Sequence, residues 1–267
     1  MSHAAIVIRR CSFALLVALG STGCLRSTTT IDLKSDGSGT IVQETAMSAQ
    51  ALGMLQGLAG ANQKAEKPPQ LFGEEQARQA AATMGVTFVS GETIKTGDLE
   101  GYRAHYAFDD ISKVTVKMDQ GTNNLAPGSE TRKPPFGFAF TRGAAASVLT
   151  IQMPDQTPGA AGALPMPGAG GSDADKAQAA QAMAMMKMMM RGLFVDVALT
   201  VNGRIIKSNA PYVEGSRVTL LQLDFDKLLA DDAALLKLQS AKDVKSLAAV
   251  PGLKVVTEPT VTIEFSR

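Results

Sequence analysis

Alternation of apolar and polar residues near position 200 constrains the fold more than any other feature of the sequence. Branched apolar residues stand at every second position, Val195, Val197, Leu199 and Val201, and the residues between them are Asp196, Ala198 and Thr200. Because the side chains of a strand point alternately to its two faces, this pattern predicts a strand with one buried face. Asn202-Gly203 follows at once and is typical of a type I′ hairpin turn, which predicts a partner strand at residues 204–208.

Short apolar segments bounded by turn residues recur along the rest of the chain. Near the start, predicted strands at residues 29–33 and 40–47 flank the Gly-rich turn Ser35-Asp-Gly-Ser-Gly39. Further strands are predicted at residues 86–95, 102–108, 113–118, 137–141, 147–153, 217–223 and 261–265. The frequent turns favour antiparallel pairing, and the order of the elements shows no strand–helix–strand alternation of the kind that builds a parallel sheet.

Helices are predicted in three parts of the chain. Residues 49–61 and 74–84 form a helical stretch over 48–84, a Met-rich helix follows Ser172 and ends before Gly192, and short helices lie within 224–248. A flexible linker rich in Pro and Gly spans residues 154–172. Together with the strands, these elements predict an α+β fold in which an antiparallel sheet packs against several helices.

The first 24 residues have the pattern of an export signal. Arg9 and Arg10 precede an apolar segment at residues 11–19, which is about half of the roughly 20 residues that span a bilayer as a helix. Small residues then lead into Cys24, and this ending resembles the lipobox of bacterial lipoproteins. The resemblance implies cleavage before Cys24 and attachment of diacylglycerol to its thiol. We therefore expect a lipoprotein signal peptide at residues 1–23 and a single extracytoplasmic α+β domain at 24–267.

Cysteine content agrees with an anchor rather than a disulfide framework. Cys11 leaves with the signal peptide, so Cys24 is the only cysteine of the expected mature chain. Acyl chains on this residue would hold the protein to the membrane. Residue 25 is Leu rather than Asp, and by analogy with Gram-negative lipoproteins this predicts the periplasmic face of the outer membrane, if the source has one.

Residues that carry catalysis, metal binding or nucleic-acid binding are sparse. His105 is the only histidine after the signal peptide, it shares a strand face with Arg103, and no serine stands in a Gly-x-Ser-x-Gly elbow. One histidine and one lipidated cysteine are too few ligands for a zinc site. A net charge of +1 provides no basic field for nucleic acid. We expect a non-enzymatic protein with no cofactor, no metal site and no nucleic-acid partner.

The run Met183-Ala-Met-Met-Lys-Met-Met-Met190 is the most unusual feature of the chain. On a helix, Met183, Met186 and Met190 form one stripe, with Met189 beside it. The stripe can pack on the sheet, since unbranched Met fills irregular gaps. It can instead form a deformable wall or lid over an apolar ligand, or bind cuprous ion through its thioethers. These four methionines are the candidate residues of a ligand pocket.

Several segments resemble the LppM-like bacterial lipoproteins. They are Cys24-Leu-Arg, Ile31-Asp-Leu-Lys-Ser-Asp-Gly-Ser-Gly-Thr-Ile41, Val201-Asn-Gly-Arg-Ile-Ile-Lys-Ser-Asn-Ala210 and Gly215-Ser-Arg-Val-Thr-Leu220. The resemblance implies a curved sheet packed with helices, similar to lipid-binding folds. It also implies an amphiphile-binding role in the cell envelope.

The predicted function is that of a membrane-anchored envelope lipoprotein that binds a lipid or another apolar ligand. The alternative is a structural or adaptor lipoprotein that binds an envelope protein. A large apolar pocket between sheet and helix would favour the first. A filled core with an exposed apolar patch would favour the second.

Overall fold

The structure is a computed structural model that describes residues 25–53, 73–116, 136–154, 190–231, 244–248 and 250–266, together with residues 187, 234 and 237. The predicted signal peptide and Cys24 lie outside these residues. Of the predicted linker 154–172, only Pro154 is described, and it is buried. The described residues form two β-sheets and a few short helices.

The larger sheet has eight strands. They are β1 (Leu25–Leu33), β2 (Gly39–Ser48), β3 (Thr87–Thr96), β4 (Leu99–Phe108), β7 (Phe194–Val201), β9 (Val213–Glu214), β10 (Arg217–Asp224) and β11 (Leu253–Val255). Seven of them follow the order β11-β10-β7-β1-β2-β4-β3, and β9 pairs with β10. Strand β1 occupies the centre: Ile31 lies opposite Ile41 in the antiparallel pair with β2 and opposite Leu199 in the parallel pair with β7.

The predicted hairpin at the start of the chain is confirmed as β1 and β2. In its turn, the Asp36 carboxylate accepts hydrogen bonds from the backbone N–H and the hydroxyl of Ser38, at 3.0 and 2.8 Å. These bonds hold the pKa of Asp36 below its ordinary value. Gly37 has φ +92°, and a Cβ at this position would lie 2.8 Å from the ring of Phe140. The turn therefore requires glycine both for its backbone and for the aromatic ring packed on it.

The smaller sheet has four strands in the order β5-β6-β12-β8. They are β5 (Gly137–Thr141), β6 (Ala146–Gln152), β8 (Ile205–Ser208) and β12 (Thr260–Ser266). All three strand pairs are antiparallel. The Ser147 hydroxyl of β6 donates to the carbonyl of Ser35 at 2.9 Å, so this sheet lies against the β1–β2 turn.

Helices occupy few of the described residues. Those with described bounds are residues 49–53, α1 (Glu74–Met84), a 3₁₀ turn (Ile111–Lys113), α2 (Phe225–Leu229) and α3 (Val244–Leu247); residues 187, 190, 234 and 237 are also helical. Helix α1 confirms the prediction for 74–84 and ends at Gly85, whose φ of +72° is the left-handed conformation usual for a helix C-cap. Ser48 caps the helical residues 49–53 by accepting from the Ala51 N–H at 3.2 Å. Residues 54–72, the rest of the predicted stretch 48–84 before Gly73, lie outside the described residues.

Apolar side chains of both sheets bury against one another in one cluster. Residues with 0% exposure include Ile31 and Leu33 of β1, Ile41 of β2, Leu149 and Ile151 of β6, and Val261, Ile263 and Phe265 of β12. Helix α1 adds Ala77, Ala81 and Met84 to the same cluster. Full burial of such large apolar side chains contributes roughly 1.5–3 kcal/mol each relative to exposure, so the contact between the sheets is a main source of stability.

The predicted α+β class, a curved antiparallel sheet packed with several helices, is wrong. The described residues are mostly strands, and the larger sheet is mixed because β1 and β7 run parallel. The sequence predicts a strand at residues 113–118; of these, 113–116 are described, and they contain the end of the 3₁₀ turn and a single bridge between Val116 and Phe136 rather than a strand. The prediction failed because apolar periodicity shows which faces are buried and does not show which strands become neighbours.

Two predictions around β7 are also wrong. Asn202-Gly203 does not join a hairpin: β7 ends in the larger sheet, and β8 pairs with β12 in the smaller one. Gly203 has φ +158°, and a Cβ there would lie 2.0 Å from the carbonyl oxygen of Ser266. The second face of β7 is not exposed either, since Asp196 and Ala198 are 5% and 0% exposed. Strand β7 is a central strand, and both of its faces are covered. The sequence does not show this, because Asp196 is a polar residue of the kind that usually faces water.

Burial makes Tyr106 a probe of the folded state. This β4 residue is 1% exposed, and burial raises the pKa of its hydroxyl to about 12. The unfolded chain would lose this proton near pH 10, so the stabilising contribution is complete below pH 10 and is lost as the pH rises towards 12. We expect ultraviolet titration of the folded protein to show a tyrosine that ionises near pH 12, and Tyr106→Phe should remove this step. A titration curve that Tyr106→Phe leaves unchanged near pH 12, while circular dichroism still shows a folded protein, would contradict this.

Candidate functional site

Strand register defines one end of the larger sheet, which we call the N-terminal end. It is the end at which β1 begins, and Leu25 lies there opposite Met47 of β2. Four other strand ends lie level with it: Ser48 of β2, Leu99 of β4, Phe194 of β7 and Asp224 of β10. The Asp98 carbonyl, in the turn between β3 and β4, accepts from the Ala49 N–H at 3.3 Å and belongs to the same end.

The predicted lipid-modified residue, Cys24, directly precedes this end of the sheet. Cys24 itself lies outside the described residues. Leu25 is already the first residue of β1 and is 5% exposed, and Arg26 is paired on both sides, with Ala46 and Phe194. The covalent chain therefore provides no linker between Cys24 and the strand.

Two arginines and an aromatic ring lie beside this strand start. The Arg26 guanidinium carbon is 4.9 Å from the centre of the Phe194 ring, which is cation–π geometry. Arg191 stands three residues before Phe194, and both arginines are exposed. Neither of them forms an ion pair with another residue that the structure describes.

Backbone and carboxylate contacts fix the chain that enters β7 and leaves β10. Gly192 has φ +70° and donates its N–H to the Asp226 carboxylate at 2.8 Å. Asp224 caps α2 by accepting from the Lys227 N–H at 3.2 Å and also pairs with the Lys227 ammonium at 2.8 Å. The hydrogen bond to Asp224 raises the pKa of Lys227. These contacts hold the backbone on either side of Arg191 and Phe194 in place.

Of the four predicted pocket methionines, only Met190 is among the described residues. It is helical and half-buried, and its carbonyl accepts from the Leu193 N–H at 3.1 Å. Met183, Met186 and Met189 lie outside the described residues. Met190 and the predicted stop at Gly192 lead directly into β7, so the Met-rich run ends at the N-terminal end of the sheet.

A second polar group lies on the face of the sheet opposite the core. Arg103 of β4 donates to Glu44 of β2 at 2.9 and 3.1 Å and to Glu92 of β3 at 2.7 Å. These bonds, first those to Glu44, raise the pKa of Arg103 above its ordinary value. His105 shares this face, as predicted, and lies opposite Val42 and Ser90. Because the carboxylates already use the guanidinium, this group links three strands rather than forming a binding site.

Sequence reasoning missed a buried ion pair on the same face. The Asp196 side chain is 6% exposed, and its carboxylate accepts from Arg217 at 2.5 Å and from the Gln222 amide at 3.3 Å. The sequence contains a weak signal for it, because an acid stands between apolar residues of β7 and a base begins β10. Only the register of these strands shows that the two charges meet.

The described residues contain no group of three or more His, Cys, Asp or Glu side chains arranged to hold a metal ion. None of the described helices has the length and apolar character needed to cross a bilayer. The candidate site is therefore the N-terminal end of the larger sheet, where Arg26, Arg191 and Phe194 lie next to the position of Cys24.

Comparisons with known proteins give one distant similarity. No protein-family model matches the chain, and no curated protein matches it. Among solved structures, the chain is similar to the folded domain of Mycobacterium tuberculosis LppM, determined by NMR. The sequence identity is 10%, the match covers 93% of each chain, and the TM-score is 0.35. At this level of similarity, the function has to be sought in the residues of this chain.

The ion pair of Asp196 should be essential to stability. Arg217→Met leaves a buried carboxylate with only the Gln222 amide, and since Arg217 is itself partly exposed we expect a loss of about 2–3 kcal/mol in the free energy of unfolding. Asp196→Asn in the same protein removes the buried charge and should recover part of the loss. Chemical denaturation measures both, with Arg142→Met as the exposed control. Equal stability of Arg217→Met and Arg142→Met would contradict this role.

Proposed function

We propose that the protein is a non-enzymatic envelope lipoprotein, acylated at Cys24, whose β-sheet body binds a lipid or another apolar ligand at a membrane surface. The position of Cys24 carries this proposal. The residue follows a segment with the charge and apolar pattern of a signal peptide, and the first strand begins at the next residue, Leu25. Leu25, the residue next to Cys24 in the sequence, is already paired with Met47, so a chain cut before Cys24 would keep the whole of β1.

The Met-rich run supports the ligand part of the proposal. It ends at Met190 and enters β7 beside Arg26, at the same end of the sheet as Cys24. Flexible thioether side chains can adapt to acyl chains of different shape, and Met190, the described end of the run, lies at the N-terminal end of the sheet. The arginines beside them suit an amphiphile with an anionic headgroup, because guanidinium groups bind phosphate well.

Acylation is tested by replacing the cysteine. In cells labelled with radioactive palmitate, Cys24→Ser should abolish the label and leave the protein unprocessed or released from the membrane fraction. Cys11→Ser, inside the signal peptide, is the matched control and should keep both label and membrane association. Membrane retention of Cys24→Ser at the level of the parent protein, with no label in either, would show that the lipobox interpretation is wrong.

Ligand binding is tested by native mass spectrometry of the full acylated protein extracted in mild detergent. We expect an added mass of a co-purifying lipid or other amphiphile. Replacement of Met183, Met186, Met189 and Met190 by Gln should remove it, and replacement of the same four residues by Leu should keep it, because Leu preserves the apolar surface. A bare mass for the parent protein would contradict ligand binding and favour the adaptor role.

A further inference from the structure

The pairing of Leu25 and Arg26 limits how an acylated chain can sit on a membrane. Strand β1 is paired from its first residues, Leu25 with Met47 and Arg26 with both Ala46 and Phe194. A flexible linker would let a tethered domain tumble, but here the strand follows Cys24 without an intervening residue. Acyl chains on Cys24 would therefore restrict the orientation of the sheet relative to the bilayer, as well as its distance from the bilayer.

We propose that the N-terminal end of the larger sheet rests on the phospholipid surface, with Arg26 and Arg191 bound to lipid phosphates and the smaller sheet directed away from the bilayer. This orientation depends on the proposed acylation of Cys24. It assigns a surface and a partner, the anionic headgroup region, that the anchor alone does not specify.

Two exposed guanidinium groups at this end suit contact with lipid phosphates. Both arginines are exposed and have no ion-pair partner among the described residues, whereas Lys227 at the same end is paired with Asp224. Guanidinium groups form paired hydrogen bonds with phosphate oxygens. The Phe194 ring under Arg26 adds an apolar body below a charged head, an arrangement that suits the boundary between headgroups and acyl chains.

The rest of the fold gives this orientation a defined far side. With a rise of about 3.3 Å per residue, the nine residues of β1 place Leu33 about 26 Å from Leu25. The turn after Leu33 carries exposed Lys34, and the Ser147 hydroxyl of the smaller sheet binds the Ser35 carbonyl in the same turn. The turn between β5 and β6, with exposed Arg142, precedes Ser147 and belongs to this far side.

Fluorescence quenching tests the orientation on the full acylated protein. The protein is reconstituted into vesicles of phosphatidylethanolamine and phosphatidylglycerol that contain a nitroxide-headgroup lipid. A thiol-reactive dye is attached at Asp98→Cys, an exposed position at the N-terminal end, or at Lys34→Cys on the far side. We expect several-fold stronger quenching at position 98 than at position 34. Equal quenching, or stronger quenching at position 34, overturns the orientation.

The role of the arginines has its own test in the same vesicles. Arg26→Gln with Arg191→Gln should reduce quenching of the dye at position 98, and omission of phosphatidylglycerol should have a smaller effect on this variant than on the parent. Arg142→Gln is the matched control and should change neither value. An unchanged signal in the double variant overturns the phosphate contacts.

Flotation of the vesicles separates failure of the orientation from failure of the anchor. Acylated protein that floats with the vesicles but shows the wrong quenching pattern refutes the orientation and leaves acylation intact. Protein that carries no palmitate and stays at the bottom of the gradient refutes the proposed anchoring, and the orientation with it.

Discussion

The parallel pairing of β1 with β7 holds the larger sheet together. Strand β1 has β2, β4 and β3 on one side and β7, β10 and β11 on the other, so its two rows of hydrogen bonds are the only link between these halves within the described part of the sheet. Ile31 and Leu33 also reach the core shared with the smaller sheet. The position of Leu25 next to Cys24, the core and the surface around Arg26 all depend on this one strand.

Local patterns predicted the elements well and their arrangement poorly. The Gly-rich turn at Gly37 and the helix ending at Gly85 depend on residues within a few positions of each other, and both predictions are confirmed. The parallel neighbour of β1 depends on residues far away in the chain, and nothing in the alternation of β7 identifies it. Asn202-Gly203 has the composition of a hairpin turn, yet the chain there passes from one sheet to the other. Which of the two sheets a strand joins depends on residues far away in the chain, so it cannot be predicted from the residues around the turn.

The residues of the candidate site also differ in whether nearby sequence predicts them. The sequence alone predicts Cys24 as the lipid-modified residue, because a signal pattern is local, and this stays a prediction. The contacts of Arg26 with Phe194 and of Asp196 with Arg217 join separate strands, so they appear only when the register is known. Asp196 was misjudged for a physical reason: an acid in an alternating strand usually faces water, but here a base on the neighbouring strand compensates its burial.

Pairing across the sequence also sets an order of events during synthesis. The chain emerges amino end first, and roughly 170 residues separate Arg26 from its parallel partner Phe194. The β1–β2 hairpin can close early, but the other edge of β1 keeps its backbone groups unpaired until β7 arrives. An open edge of this kind invites pairing with a foreign strand. Strand β7 closes this edge when it pairs with β1, so its arrival protects the chain from such pairing as well as completing the sheet.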